Sequence, residues 1–524
     1  MKTASALYYE LEGQRTSYVQ RARDCSLLTI PMLFPPDGES KSNIFETPFQ
    51  GIGARGVNNI SSKLLLALFP PNSSFFRLMI DPYKFKKLGG SDSLKTEIEK
   101  ALSDVEDAVT KEIETSALRV PFFEALKQLI VGGNSLLYFP DEGGVRVFRL
   151  TNYVVKRDPS GNVITIVTKE SISPSALPEE AKDFLDSKGE REDGEYREEN
   201  HDKYLDLFTC VHLEDGKWKV YQELNKQIIP GSEGSYDKDK CPFIPLRFSR
   251  VDGEDYGRGL VEEYLGDLRS LEALTQAVVE GSACASKVLF LVNPNGTTKI
   301  RSLSEAKNGQ FVSGNVVDVN ALQLQKYGDF RVAKEVMVEI QTRLSYAFLL
   351  NTSIQRDAER VTAQEIRYMA QELESALGGA YSILSQEFQL PMVNRIMDRM
   401  NADKSLPKLP KNNLIRPLIV TGVEALGRGN DLSKLDLFLS GLAQIFGPEA
   451  LAQYVNVEDY LKRRATALNI DIEGLIKSAE EMQAQKQQAQ ALQLTRELGP
   501  QTIKGISDVA GQAMQQQMEQ QQQQ

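Results

Sequence analysis

Several stretches of the chain repeat apolar side chains at the spacing of one helical face. In 94-LKTEIEKALSDVEDAV-109, Leu94, Ile98, Leu102, Val105 and Val109 share a side. In 256-YGRGLVEEYLGDLRSLEALTQAVVEGSACAS-286, Leu260, Tyr264, Leu268, Leu271, Leu274 and Val278 do the same. If continuous, that helix is about 45 Å long at about 1.5 Å per residue. The face returns in 330-FRVAKEVMVEIQTRLSYAFLL-350 through Phe330, Val336, Ile340, Leu344 and Phe348. Between the two lies a compact segment that opens with strand-like KVLFLV and the turn 293-NPNG-296. Two long helices therefore bracket a small module.

A further face begins after a polar loop, Asn351–Val361. Thr362 and Glu365 stand at capping-box spacing, which starts a helix at Thr362. Its apolar side runs through Ile366, Met369, Leu373, Leu377, Tyr381, Leu384 and Phe388, then past Pro391 through Met392, Ile396 and Met400. The unbroken register across Gly378-Gly379 and Pro391 predicts one long helix that bends, with two helices and a tight turn as the alternative. Strand-like segments SLLYFP, VRVFRL, YVVKRD and VITIVTKE follow 121-PFFEALKQLIVGGN-134, the last two joined by the turn 158-DPSGN-162. They predict an antiparallel sheet in the first 255 residues. Residues 431–495 are again helical by period, through Leu432, Leu435, Leu439, Leu442 and Phe446. In 515-QQQMEQQQQQ-524, Gln fills eight of ten positions, a composition that builds no packed core. The expected fold class is α+β, mainly helical, and 524 residues call for more than one structural region.

Apolar runs such as 64-LLLALF-69 stop far short of the roughly 18 to 20 residues of a membrane span, and the N-terminus has no apolar signal core. The expectation is a soluble protein of a reducing compartment, because Cys25, Cys210, Cys241 and Cys284 form no C-x-x-C pair. The net charge of −11 is uneven: residues 179–202 hold eleven acidic and four basic side chains, which leaves about −4 elsewhere. That acidic segment reads as a solvated insertion. Global charge therefore does not exclude a surface that handles DNA.

Catalytic chemistry finds few candidates. His201 and His212 are the only histidines, so no H-E-x-x-H zinc site can form, and there is no G-x-x-x-x-G-K-[ST] phosphate loop. Gly51, Gly53 and Gly56 in 51-GIGARG-56 do match G-x-G-x-x-G. That fingerprint needs a buried strand entering the glycine turn, and the preceding 39-ESKSNIFETPFQ-50 is polar and carries Pro48. Asp81, closing 75-FFRLMID-81, is the one residue in its favour. No cofactor and no metal are expected.

Long blocks of the chain are familiar in their order. They are 29-TIPMLFP-35, 47-TPFQGIGARGVNNISSKLLLALFP-70, 123-FEALKQLIVGGNSLLYFP-140, 251-VDGEDYGRGLVEEYLGDLRSLEAL-274, 286-SKVLFLVNPNG-296, 343-RLSYAFLLN-351, 360-RVTAQEIRYMAQELESALGGAYSILSQEFQLP-391 and 421-TGVEALGRGNDLSKL-435. From near its start to about residue 480 the chain resembles the portal (head-to-tail connector) proteins of short-tailed, autographivirus-type bacteriophages.

That resemblance implies a dodecameric ring around a DNA channel, with wing, stem, clip and crown regions. Residues 1–255 correspond to the wing, 256–286 to a descending stem helix, 287–328 to the clip and 329–350 to an ascending stem helix. The loop 351–361 resembles the tunnel loop, 362–430 the long wing helix with its link to the crown, 431–500 a helical crown, and 501–524 a Gln-rich tail. It further implies a virion component at the portal vertex, assembled in the host cytoplasm and not in a membrane. The implied partners are double-stranded DNA, the large terminase motor, a tail adaptor, major capsid and scaffolding proteins, and internal core proteins. Candidate channel residues are Gln355, Arg356, Asp357, Glu359 and Arg360; Arg356 and Arg360 either face DNA or only pair with Asp357 and Glu359 of neighbouring subunits. Candidate partner-facing residues of the clip are Lys299, Arg301, Lys307 and Lys326. Two other readings compete: a nucleotide-binding enzyme built on Gly51, Gly53 and Gly56, and a helical scaffold without DNA contact.

Overall fold

The structure, a computed structural model, describes residues 3–36, 45–70, 75–80, 92–141, 143–173, 177, 204–285, 289–322, 327–350, 376–403, 415–419, 438–442, 444 and 460. The chain divides into two compact units, Met1–Ala425 and Leu426–Gln524. In the second unit the described residues are helical. The acidic segment 179–202, the Gln-rich end, most of 431–500 and the loop 351–361 lie outside the described residues.

The first unit opens with α1 (Ala4–Leu27). The buried Glu223 carboxylate accepts from the backbone N–H of Ala4 and Ser5 and from the Ser5 hydroxyl, which partners donors that a helix start leaves open. Next come α2 (Ile52–Leu68), β1 (Phe76–Ile80), α3 (Asp92–Thr115) and α4 (Arg119–Gly132). Leu102, Val105 and Val109 of α3 are buried, as their spacing predicts. Helix α4 is the centre of the core, with Phe122, Ala125, Leu126, Leu129 and Ile130 fully buried and both α1 and α2 packed against it. Phe69, Phe75, Phe122 and Phe388 form an aromatic cluster there, with ring centroids 4.8 Å apart for Phe69 and Phe122 and 5.1 Å for Phe122 and Phe388.

Every sheet among the described residues is antiparallel. A small one contains β2 (Asn134–Tyr138) and β3 (Arg146–Phe148), and a larger one contains β4 (Tyr153–Arg157), β5 (Val163–Ile172), β6 (Leu205–Glu214), β7 (Lys217–Leu224), β8 (Gln227–Ile228) and β9 (Gly234–Asp237). The larger sheet runs β4-β5-β6-β7-β8, with β9 also on β7. Asp158 closes the β4–β5 turn by accepting from Asn162 N at 2.7 Å and Asn162 Nδ2 at 2.9 Å. Strand β10 (Phe243–Arg247) pairs with β2 and completes the small sheet.

The helix expected over 256–286 starts later and is interrupted. Helix α5 (Leu260–Glu263) is a single turn, Tyr264 breaks it, and α6 (Leu265–Ala285) follows. The cause is upstream pinning: Asn134 bonds both the N–H and the carbonyl of Gly257, Tyr256 Oη accepts from Val155 N at 3.0 Å, and Asp255 accepts from Arg157 N at 2.7 Å. Those bonds hold 255–257 against the sheets and out of a helix. At 21 residues α6 spans about 31 Å.

Strands β11 (Leu289–Val292) and β12 (Val319–Leu322) pair with each other and enclose the short α7 (Ile300–Ser304). Helix α8 (Tyr327–Ala347) follows. Beyond it, α9 (376–384), a π-helical turn Ser385–Gln389 and α10 (Leu390–Ala402) run on without a gap across Gly378-Gly379 and Pro391, while the expected start at Thr362 lies outside the described residues. The wide turn comes just before Pro391, a residue with no N–H of its own to give. Leu377, Tyr381, Leu384, Phe388, Met392, Ile396 and Met400 are all buried. Strand β13 (Ile415–Ile419) pairs with β1.

Candidate functional site

The two long helices α6 and α8 form an antiparallel pair. Arg343 of α8 bonds Asp267 of α6 at 2.8 Å near one end, and Phe330 lies against Gly281 near the other. Only the first end is held in the core: Leu268 and Leu271 of α6, Ile340 and Leu344 of α8 and Phe348 just beyond it are buried. Glu272 of α6 accepts from the N–H groups of Phe49 at 2.9 Å and Gln50 at 3.2 Å, and Arg269 bonds Asp24 at 2.9 Å. Towards the far end Val279, Val332 and Val336 are exposed in the single chain. The pair thus extends away from the core and carries the module 289–322 at its tip.

Asp318 holds that module together. Its carboxylate accepts from Thr297 N (2.8 Å) and Thr298 N (3.1 Å) and from the hydroxyls of Thr297 (3.2 Å) and Thr298 (3.0 Å). Burial pushes this carboxyl's pKa up, but the four donors prevail and hold it below the ordinary aspartate value. The predicted basic residues here stand on the surface: Lys299 precedes α7, Arg301 pairs with Glu305 at 3.0 Å, and Lys307 is exposed beyond the helix. Lys326 lies outside the described residues. Sequence reasoning missed the apolar surface beside them. Phe311 is 102% exposed, Val316 90% and Val317 83%, and Phe290 and Ile300 are also exposed. Side chains of that kind leave water only by meeting another surface. The signal was 310-QFVSGNVVDV-319, apolar residues with neither helical nor strand period.

The glycines of 51-GIGARG-56 are filled by the protein itself. No strand enters the turn, because 45–50 is irregular, and β1 beyond α2 pairs antiparallel with β13. A Cβ at Gly53 would stand 2.4 Å from the Leu28 carbonyl oxygen, and one at Gly56 would stand 2.5 Å from Phe348 Cγ. The Gly53 N–H, one of the donors a pyrophosphate would take, already goes to Gln50 Oε1 at 2.9 Å. Two of the glycines are therefore sites of close approach between α2, the end of α1 and the end of α8. Asn59 Nδ2 donates to Phe348 O (3.0 Å) and Leu349 O (2.9 Å), and Lys63 Nζ donates to Leu349 O at 2.9 Å. At the other end of α2, Tyr381 Oη donates to Ala67 O and Gln389 Nε2 to Leu68 O. Arg55 is exposed.

Gln355, Arg356, Asp357, Glu359 and Arg360 lie outside the described residues; what is placed is their point of departure, Phe348–Leu350, seated on α2. The cysteines are free, and burial pushes the Cys25 and Cys241 thiols up to about 12 and Cys210 up to about 11, which keeps them protonated. His212 lies in β6 opposite Lys219. Among the described residues no group of three or more His, Cys, Asp or Glu could hold a metal, and no helix is long and apolar enough to cross a membrane.

The helix pair and its small module are thus rooted in a mixed helix-and-sheet body. The chain belongs to the bacteriophage head to tail connecting protein family, whose model matches residues 1–476. It is 43% identical over 503 residues to the portal protein of Escherichia phage T7, covering 95% of this chain and 92% of that protein. With the portal protein of Enterobacteria phage T3 the identity is 45% over 487 residues, covering 92% and 89%. Among solved structures, the neck of an empty GTA particle computed with C6 symmetry aligns with a TM-score of 0.35 at 10% identity, covering 80% of this chain and 90% of that one.

Proposed function

We propose that this head-to-tail connector forms a closed dodecameric ring at one vertex of the capsid, through which double-stranded DNA enters during filling and leaves at ejection. The observation that carries this reading is the antiparallel α6/α8 pair, held in the core at one end and bearing an exposed, partly apolar module at the other. Repeated around a ring, such a pair supplies the wall of a channel, and its module supplies a rim on which the terminase motor and later the tail adaptor dock. Lys299, Arg301, Lys307 and Lys326 are the rim's basic contributors. Major capsid, scaffolding and internal core proteins are the partners on the capsid side. Translocation draws its energy from the motor.

In this reading the loop 351–361 faces the lumen, so each residue becomes a ring of identical side chains at one height. Every phosphate firmly neutralised by Lys or Arg adds affinity and salt dependence, which a sliding duplex must avoid. Arg356 and Arg360, offset by Asp357 and Glu359, guide DNA without holding it. The test replaces both arginines by glutamate. Rings of normal size that fill poorly or lose DNA support the loop's role, and normal filling removes it.

A further inference from the structure

The end of α8 is an unusual helix terminus. Leu350 N bonds back to Ser345 O at 2.8 Å and Leu349 N to Tyr346 O at 3.1 Å, with Leu349 at φ +52°. This left-handed closing position is commonly glycine, because a side chain there crowds its own backbone. A leucine persists in such a conformation when its surroundings over-determine it. Here the surroundings are one face of α2. Gly56, Asn59 and Lys63 follow each other at helical spacing; Gly56 lets the Phe348 ring sit against the helix, and the other two grip the last carbonyls. Lys63 is buried, so its ammonium meets the negative end of α8 with little competition from water.

We infer that Asn59 and Lys63 are positioning residues: they clamp the Phe348 and Leu349 carbonyls so that the chain leaves the second long helix in one fixed direction towards 351–361. The inference rests on the reading of 351–361 as a channel-facing loop. The clamp belongs to the body of the protein and the loop to the stem side, so every subunit delivers its loop at the same height only while the clamp is closed. Symmetry makes this demanding, since a ring of charge exists only when all copies coincide.

The experiment uses the full-length protein, assembled as rings and in phage particles, carrying Asn59→Leu, Lys63→Met or both. Asn59→Leu keeps the branched outline of the side chain and Lys63→Met nearly its volume, and both remove the donor. The expected result is intact rings, protection from hydrogen exchange reduced about tenfold at the amides of 348–350, and incomplete filling or loss of packaged DNA, worst in the double variant. Lys63→Arg, which keeps a cationic donor, is expected to recover DNA retention. If Asn59→Leu does not assemble, Lys63→Met and Lys63→Arg carry the comparison alone. Unchanged protection overturns the clamp. Normal filling by the clamp variants beside a defective Arg356→Glu/Arg360→Glu variant overturns its positioning role. Normal filling by that loop variant overturns the channel reading instead.

Discussion

Replacing Gly56 by alanine separates two opposing effects of known size. Inside an exposed helix, Gly to Ala gains about 1 kcal/mol from propensity alone. Gly56 is buried in α2, and its new Cβ would stand 2.5 Å from Phe348 Cγ, 2.7 Å from Cδ2 and 2.8 Å from Cβ. Turning the ring cannot relieve the last contact, because Phe348 Cβ is fixed by the backbone. The end of α8 must move, against the bonds from Asn59 and Lys63. Overpacking of this kind costs about 1–3 kcal/mol, so the net effect is a destabilisation of about 0–2 kcal/mol. Gly51 is the built-in control, since a Cβ there meets nothing within 4 Å. The chain has two units, so one melting temperature does not isolate this site, and hydrogen exchange across 52–68 and 344–350 is the appropriate readout. In a Phe348→Ala background the Cγ and Cδ2 contacts are gone while the 2.8 Å contact with Cβ remains, so the cost of Gly56→Ala is expected to fall by about 1 kcal/mol without vanishing. Stabilisation by Gly56→Ala, or additive effects within about 0.5 kcal/mol, refutes the close-approach argument.

Three other outcomes follow from the same geometry. Arg247 of β10 is buried and pairs with Glu387 in the π-helical turn, so Glu387→Ala strands a buried guanidinium and is expected to cost about 3–5 kcal/mol, measured as lost exchange protection in 376–402. The Asp318 carboxyl has a lowered pKa, so its contribution is complete above the ordinary value of about 3.9 and disappears as pH falls through the lower folded value; acid should loosen 289–322 in the wild type, and Asp318→Asn should loosen it at neutral pH and abolish that acid step. A dinucleotide held on α2 at a hundred times its Kd would stabilise the protein by about 2.7 kcal/mol, and we expect no such shift, since Gly53 and Gly56 are already covered.

Legibility in the sequence followed chemistry. Long apolar faces were plain, as in α3, in the second half of α8 and across 377–400, because burial on one side leaves a period in the residues themselves; Val336 fits the α8 period and is exposed, since that end of the helix leaves the core. Helix α1 leaves almost none: its buried side includes Ser5, Arg15 and Ser26, whose partners lie in other segments, Glu223 among them. The hairpin β6–β7 did carry a signal, Asp215-Gly216 with both residues at positive φ, and the pairing of β1 with β13 carried none. The start of the α5–α6 run was misjudged because Tyr256 and Gly257 fit the helical pattern while their hydrogen bonds go to Val155 and Asn134. At the site, the helix pair and its module were visible as two periods around a break. Asn59 and Lys63 were not, since a polar residue that grips a carbonyl almost 290 residues away has no mark in its neighbours.

The central claim is that this chain builds a channel for DNA. Cryo-electron microscopy of rings formed by the purified full-length protein tests it most directly, by placing 351–361 in each subunit. The account predicts a closed ring whose axial hole admits a duplex, with Arg356 and Arg360 on its inner wall and the module 289–322 at one rim. A ring with 351–361 on its outer surface, or a protein that forms no closed ring, contradicts it.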